Sequence, residues 1–473
     1  MTVAVGSDLW RLGAGELAEL IRSRQASSVE VVQAHLRRIE AVNPTINAVV
    51  ILMADQALEA AGLADRAVAR GGELPPLHGV PFTVKENIDV AGTPTTQGLR
   101  ALADAYPARD APIVERMKAA GAIPIGRTNL PSGGMRWHCE SDLWGTTLNP
   151  WDRSRTPGAS SAGEAAAIAT GMSPLGLGND GLGSLRHPAQ CCGISALKPT
   201  LGRVPQDSTV GPGDAGPIGI QLTGVSGPLA RRIGDLRAAV ELIAGPTWRD
   251  PWSVPVPLRG PDTGGPPRVA LVLDPAGQGT AEQVRDGLVK AAAALADAGH
   301  VVDECEPPGI DAAARALVVM DSTPGVRALW EQVVMPAAPA NVRRFAAAFF
   351  AAAGDPDGVA VEAAFVTRHA LLRAWGEFQA SCPLILAPIA TDAPALAGTD
   401  LDDGRVAEDL RVMRMAMAVN ALGLPAVAVP VGIADGLPQA VQIIAPAYRE
   451  DLCLDAAQAI EDRLGVLTPI DPR

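Results

Sequence analysis

The chain has 473 residues, of which 48% are hydrophobic and 19% charged, a balance that supports a large buried core and excludes the charge-rich composition of disordered chains. Its formal net charge of −13 argues against a phosphate-binding surface, because nucleic-acid affinity rests on clustered Lys and Arg that displace counterions. Six cysteines, Cys139, Cys191, Cys192, Cys305, Cys382 and Cys453, show no C-x-x-C spacing, which points to buried free thiols rather than a zinc site or a disulfide framework.

Met1 to Leu12 lacks a basic segment followed by an apolar run, so no signal peptide is read there and the expected compartment is the cytoplasm. Ser27-x-x-Glu30 forms a capping box that opens a helix with Val32, Leu36 and Ile39 on one face, and Asn43-Pro44 is expected to stop it. Helical text then fits Ala48 to Arg70. From Pro75 the chain changes to short apolar runs between Gly and Pro, which suit buried strands and site-forming loops. A strand is predicted over Val80 to Val84 with Lys85 at its carboxyl end, then a helix over Asp110 to Ala120 closed by Gly121, which feeds a strand over Ala122 to Ile125.

Pro-rich text from Pro246 to Pro267 reads as a surface connection. Beyond it, Arg268 to Leu273, a helix opened by Thr280-x-x-Gln283, and Val301-Val302 make a strand-helix-strand unit, which demands a parallel pair and a right-handed crossover. Ile310 to Gln379 is Ala-rich and gathers Trp330, Phe345, Phe349, Phe350, Phe365 and Trp375, read mainly as helix-packing residues with a minority lining a substrate pocket. Met415 to Ala434 is the most apolar stretch, but Asn420, Pro425 and Pro430 interrupt it, so it reads as helix, turn and buried strand rather than a membrane span. No internal repeat is present. The pattern predicts an α/β fold built on a largely parallel or mixed sheet with helices on both faces.

The chemistry-bearing text is a pair of serine-containing glycine-rich stretches, Gly158-Ala159-Ser160-Ser161-Ala162-Gly163 and Gly178-Asn179-Asp180-Gly181-Leu182-Gly183-Ser184-Leu185-Arg186, with Lys85 upstream in Val80-Pro81-Phe82-Thr83-Val84-Lys85. Two hydroxyls, one amine and a run of backbone N–H donors suffice for acyl transfer without a histidine. With Leu77-His78-Gly79-Val80-Pro81, Gly126-Arg127-Thr128-Asn129, Asn149-Pro150-Trp151, Gly193-Ile194, Lys198-Pro199-Thr200 and Gly423-Leu424-Pro425-Ala426, these ordered motifs resemble the amidase signature family over most of the chain.

That resemblance implies one large α/β/α sandwich over 1–473, with an N-terminal helical part (1–70), a catalytic core (77–205) and a helical pocket segment (310–380). It implies that Ser184 attacks the carbonyl and that Ser160, on a cis peptide bond, relays the proton to a neutral Lys85. A buried lysine can lose its charge near neutral pH, since desolvation lowers its pKa by up to ~3–5 units. The peptide N–H groups of Gly181, Leu182, Gly183 and Ser184 would form the oxyanion hole, Ser161 and Asp180 would hold the two loops, and Arg186 would stand behind the nucleophile. In the loop from Asn129 to Asp142, Gly133 and Gly134 are candidate substrate contacts.

Three departures from the family wording stand out. Ala159 and Ala162 replace glycines around the doublet, Asn179 replaces a small hydroxyl residue, and Leu182 places a side chain in the oxyanion loop, where it would be strained at positive φ. Gly176 to Gly181 fits G-x-G-x-x-G without a clear following helix, and Pro199 breaks the helix that Ser195-x-x-Lys198 would need as an S-x-x-K motif. No G-x-S-x-G elbow surrounds Ser184, so His187 beside it does not make a Ser-His-Asp triad. The expected function is cofactor-free and metal-free hydrolysis of a small to medium, mainly apolar amide, with anilide, ester or carbamate as relatives of the same chemistry. The alternatives are the amidase subunit of a glutamine-dependent aminoacyl-tRNA amidotransferase and a catalytically silent binding protein. The expected partners are the small-molecule amide and, by resemblance, a second copy in a homodimer, with no nucleic acid or membrane.

Overall fold

The computed structural model describes residues 8–209 and 216–473. Its strands are β1 (Val49–Leu52), β2 (Pro81–Lys85), β3 (Ile123–Thr128), β4 (Glu140–Ser141), β5 (Gly145–Thr146), β6 (Leu175–Asp180), β7 (Ser195–Lys198), β8 (Val225–Ala230), β9 (Val269–Leu271), β10 (Val302–Glu304), β11 (Leu384–Ala387), β12 (Ala426–Ala434) and β13 (Leu437–Ile444). Eleven of them form one mixed sheet in the order β1-β3-β2-β6-β8-β7-β12-β13-β11-β9-β10, while β4 and β5 pair separately. The parallel pairs lie on the two flanks, β3-β2-β6 and β11-β9-β10. The strands between are antiparallel, and β1 closes one edge antiparallel to β3.

Side-chain alternation distributes the sheet between two cores. Val427, Val429, Val431, Val441 and Ile443 enter one of them, together with the helices Ala14–Arg22, Ile233–Ile243, Glu282–Asp297 and Glu450–Leu464. Ala426, Ala428, Ala440 and Ile444 face the other, with the helices Ala162–Ala169, Ile310–Met320, Ala340–Ala353 and Arg414–Leu422. Each fully buried Val, Leu or Ile contributes about 1.5–3 kcal/mol relative to exposure, so the two cores dominate the favourable side of folding. Among the described residues no helix is long and apolar enough to cross a membrane.

Local signals held where they faced no competing partner. The Ser27–Glu30 box forms reciprocally, Glu30 N–H donating to Ser27 Oγ at 3.1 Å and Ser27 N–H to Glu30 Oε2 at 2.8 Å. The strand-helix-strand unit is present, with β9 and β10 parallel. Residues 415–434 fold as the end of a helix, a turn and β12. The helix Ser28–Ile46 instead runs through Asn43-Pro44. Pro44 lies in its last turn, where the Asn43 carbonyl still accepts from Asn47 N–H at 2.7 Å, and left-handed Asn47 ends it. The reading of Ala48 to Arg70 as helix is corrected at its start, because Val49–Leu52 pairs with β3 and the helix begins at Ala54. The Thr280 cap does not form: its hydroxyl donates to Asp274 Oδ1 at 3.3 Å, and the helix starts after Ala281.

One close approach fixes how the flank below the site packs. A Cβ on Gly176 would stand 1.7 Å from Glu164 Oε1, and Glu164 is buried with its carboxylate held by the hydroxyls of Thr83 and Thr128. Gly176→Ala is expected to cost about 3 kcal/mol or more, since the carboxylate has nowhere to move. An unfolding temperature within a degree of wild type would refute it.

Candidate active site

Parallel strands deliver Lys85, the last residue of β2, and Asp180, the last of β6, to one edge of the sheet, where open α/β sheets place their ligands. Ser161 is the N-cap of the helix Ala162–Ala169, which puts Ser160 just outside its first turn, and the Ala159–Ser160 peptide bond is cis. Lys85 Nζ lies 2.7 Å from Ser160 Oγ and 2.5 Å from Asn179 Oδ1. Asn179 is steadied in turn by donating to Asn87 Oδ1 at 3.0 Å. Lys85 is fully buried, and burial pulls its pKa down to about 7 against the opposing fields of Asp180, Cys139 and Glu164. A neutral amine has one lone pair and two donors, so it can accept from Ser160 while donating to Asn179.

The second serine loop is built around Asp180. Its carboxylate accepts from Gly183 N–H at 2.7 Å, Leu185 N–H at 3.1 Å and the Arg186 guanidinium at 3.0 and 3.2 Å. Burial pushes the Asp180 carboxyl up, but Arg186 and these donors hold it well below the usual carboxylate range. Arg186 also donates to Gln442 Oε1, the Ala416 carbonyl and Asn420 Oδ1, which pins the loop to β13 and to the helix Arg414–Leu422. Ser161 N–H donates to the Ser184 carbonyl at 3.2 Å and its hydroxyl to the Asn179 carbonyl at 3.2 Å, joining the two loops.

Two sequence expectations change here. The Gly183 N–H is directed to Asp180, which leaves the amides of Gly181, Leu182 and Ser184 without a protein acceptor among the described residues. Positive φ falls on Gly183, at 104°, and not on Leu182, so the leucine carries no left-handed strain. The Ser184 hydroxyl makes no hydrogen bond with a described residue, Ser160 included. His187 does not enter the set: burial pushes its pKa down to about 4, and its Nδ1 has no hydrogen-bond partner among the described residues. The glycine-rich text at 176–180 is strand backbone, and Ser195–Lys198 is β7, so neither forms the loop or helix its motif requires. Among the described residues no group of three or more His, Cys, Asp and Glu side chains is placed to hold a metal ion.

Ser184, Gly181 and Leu182 open on a cavity of about 190 Å³. Gly133 and Gly134 line it, both at positive φ, and a Cβ on Gly134 would come within 3.8 Å of Ser160 Oγ. Of the six aromatics noted in sequence, Trp330, Phe345 and Phe349 reach the wall. Trp375 is instead buried with its indole donating to the Pro308 carbonyl, and Phe350 packs edge-on against Phe349. Trp137, edge-on to Phe345 at 5.4 Å, was not singled out by sequence and joins the wall, as do Thr223 and Asp321. Asn179 as the direct partner of Lys85 was not expected; the signal was its standing in place of a small hydroxyl residue beside Asp180.

Comparison with known proteins gives the chain's family. The family model described as Amidase matches residues 30–454. An indoleacetamide hydrolase of Bradyrhizobium diazoefficiens is 40% identical over 97% of this chain and 88% of its own length. A glutamyl-tRNA(Gln) amidotransferase subunit of Salinispora arenicola is 33% identical over 98% of this chain and 99% of its own. The crystal structure of a bacterial aryl acylamidase of the amidase signature enzymes superposes with a TM-score of 0.84 at 27% identity, covering 97% of both chains.

Proposed function

Because the chain belongs to the amidase signature family and hydrolyses amide carbon–nitrogen bonds, we propose that it converts a small arylalkyl primary amide, of the indole-3-acetamide kind, to the acid and ammonia through Ser184, Ser160 and Lys85. Ser184 Oγ attacks the amide carbonyl carbon, and its proton passes through Ser160 Oγ to neutral Lys85 Nζ. The carbonyl electron pair moves onto oxygen, where the amides of Gly181, Leu182 and Ser184 receive it. Collapse breaks the C–N bond as the proton returns through Ser160 to the leaving nitrogen. Water then attacks the acyl-enzyme by the same relay, so one water is consumed for each acid and ammonia formed.

The observation that carries this reading is the 2.7 Å contact between buried Lys85 Nζ and Ser160 Oγ beside the cavity that Ser184 lines. The aromatic wall of Trp137, Trp330, Phe345 and Phe349 and the Bradyrhizobium relative support the aryl acyl group. A second reading, the amidase component of a glutamine-dependent amidotransferase, has the support of the Salinispora relative. Glutamine presents an α-carboxylate, however, and the cationic side chain in the cavity wall, Arg136, is already committed to Asp400 and Glu140. Ammonia release from indole-3-acetamide by the purified chain alone is the expected result. Release from glutamine alone, and only with added partner proteins, would replace this reading with the second.

The pH profile is a separate check. Lys85 works as a base only when unprotonated, so kcat/KM is expected to rise with pH through about 7 and level off above it. Buried Glu164 is pushed up to about 7 as well and lies in the field of Lys85. Glu164→Gln is expected to retain the limb; its disappearance in that variant would assign the titration to Glu164 instead.

A further inference from the structure

Of the two charged side chains in the cavity wall, Arg136 is paired with Asp400 and Glu140, while Asp321 is left unused by the chemistry above. Asp321 caps the C-terminus of the helix Ile310–Met320 and lines the wall with Ile220, Val326, Trp330, Phe345 and Phe349. Its carboxylate has a single side-chain partner among the described residues, the Thr223 hydroxyl, which lies 3.3 Å from Oδ1 and 3.0 Å from the Gly219 carbonyl. One hydroxyl proton serves one acceptor at a time, so Asp321 is under-satisfied. No Lys, Arg or His among the described residues pairs with it, and burial pushes the carboxyl up to about 7.

The position is built in by the backbone. A Cβ on Gly219 would stand 2.0 Å from the Met320 carbonyl oxygen, so only glycine lets the helix Ile218–Thr223 close on the chain end that presents Asp321. A half-buried carboxyl with no cation beside it is partly desolvated without compensation, which gives the fold no reason of its own to hold one against an aromatic wall. In ligand cavities, a few polar groups among apolar ones are what orient the occupant.

Resting on the arylalkyl-amide reading above, we propose that Asp321 selects the acyl group by accepting a hydrogen bond from a ring N–H at the end of a planar aromatic acyl chain whose carbonyl lies at Ser184. With ammonia as the leaving group, the cavity has only the acyl part to hold. An ammonium group would bring three donors, and besides Asp321 the polar wall side chains are Thr223, the nucleophile Ser184 and the ion-paired Arg136, so donors would be left unmatched. An indole-type ring brings one donor on an apolar body that suits Trp330, Phe345 and Phe349.

The test compares kcat/KM for indole-3-acetamide and naphthalene-1-acetamide, bicyclic amides of which only the first has a ring N–H. Above about pH 8, where the Asp321 carboxyl is ionised, wild type is expected to favour the indole at least about tenfold, the range of a hydrogen bond to a charged acceptor. Asp321→Leu is expected to bring the ratio near one, chiefly by losing turnover of the indole. Asp321→Asn keeps an acceptor and the Thr223 contact, guards against a folding failure, and is expected to reduce the ratio about threefold or more. Equal turnover of the two amides by wild type, or an unchanged ratio in Asp321→Leu, overturns the role of Asp321 and leaves the amidase reading intact. Failure to hydrolyse either amide, with activity on other amides, overturns the arylalkyl class and this inference with it.

Discussion

Ser184→Ala is expected to lower kcat on the best amide substrate by about 10⁴-fold or more, with KM changed no more than a few-fold and thermal unfolding unaltered. The substitution deletes one hydroxyl that makes no hydrogen bond with a described residue. The Ser184 carbonyl that accepts from Ser161 N–H at 3.2 Å is kept, and so is the Asp180 network that shapes the loop. A merely structural serine would therefore show little loss. Because the backbone amides of Gly181 and Leu182 survive, a residual rate above the uncatalysed one is expected. Steady-state kinetics with ammonia detection, joined to mass spectrometry of wild type quenched with a slow ester, decides the matter. Turnover within tenfold of wild type, or an acyl adduct on another residue, would remove Ser184 from the chemistry and move attention to Ser160.

What could be read from sequence here was what short-range chemistry determines. The Ser27–Glu30 box needs only four residues and formed, whereas the same pattern at Thr280 lost its hydroxyl to Asp274, a partner visible only once the strand end beside it is placed. Val49–Leu52 was read as helix because its neighbours to Arg70 are helical. Its pairing partner β3 lies far along the chain, and tertiary pairing overrides local preference. At the site, resemblance supplied Lys85, Ser160 and Ser184, and the structure brings the first two into contact.

The commitment of the Gly183 amide to Asp180 carried a local signal that went unused, an Asp followed by a glycine-rich turn, which commonly bonds its own backbone a few residues on. Asp321 had no such signal. It lies at the end of an Ala-rich helix, and the packing of that helix, with the close approach of Gly219 to Met320, brings it to the same cavity as Ser184. The groups proposed for catalysis are readable because they sit in motifs, while the one proposed for specificity depends on which helix ends meet.

Arg186→Met is expected to destabilise the protein by about 3–5 kcal/mol, because it leaves the Asp180 carboxylate buried and unpaired. Both side chains are fully buried, and Gln442, Asn420 and the Ala416 carbonyl lose their donor as well. The pH dependence separates charge from packing. In wild type the Asp180 pKa is depressed, so the pair's contribution is present above the unfolded value of about 3.9 and is lost only as pH falls through the lower folded value. In Arg186→Met, burial without the guanidinium raises the folded pKa above that value, and stability is lost as pH rises. The gap in unfolding temperature between wild type and variant is therefore expected to widen from pH 4 towards pH 8. Adding Asp180→Asn to Arg186→Met is expected to recover part of the loss by removing the orphaned charge, although the Gly183 and Leu185 amides then share one carbonyl oxygen instead of a carboxylate. A gap independent of pH, with no recovery in the double variant, would mean that Arg186 acts by filling space and that the shape of the loop from Gly181 to Ser184 rests on other contacts.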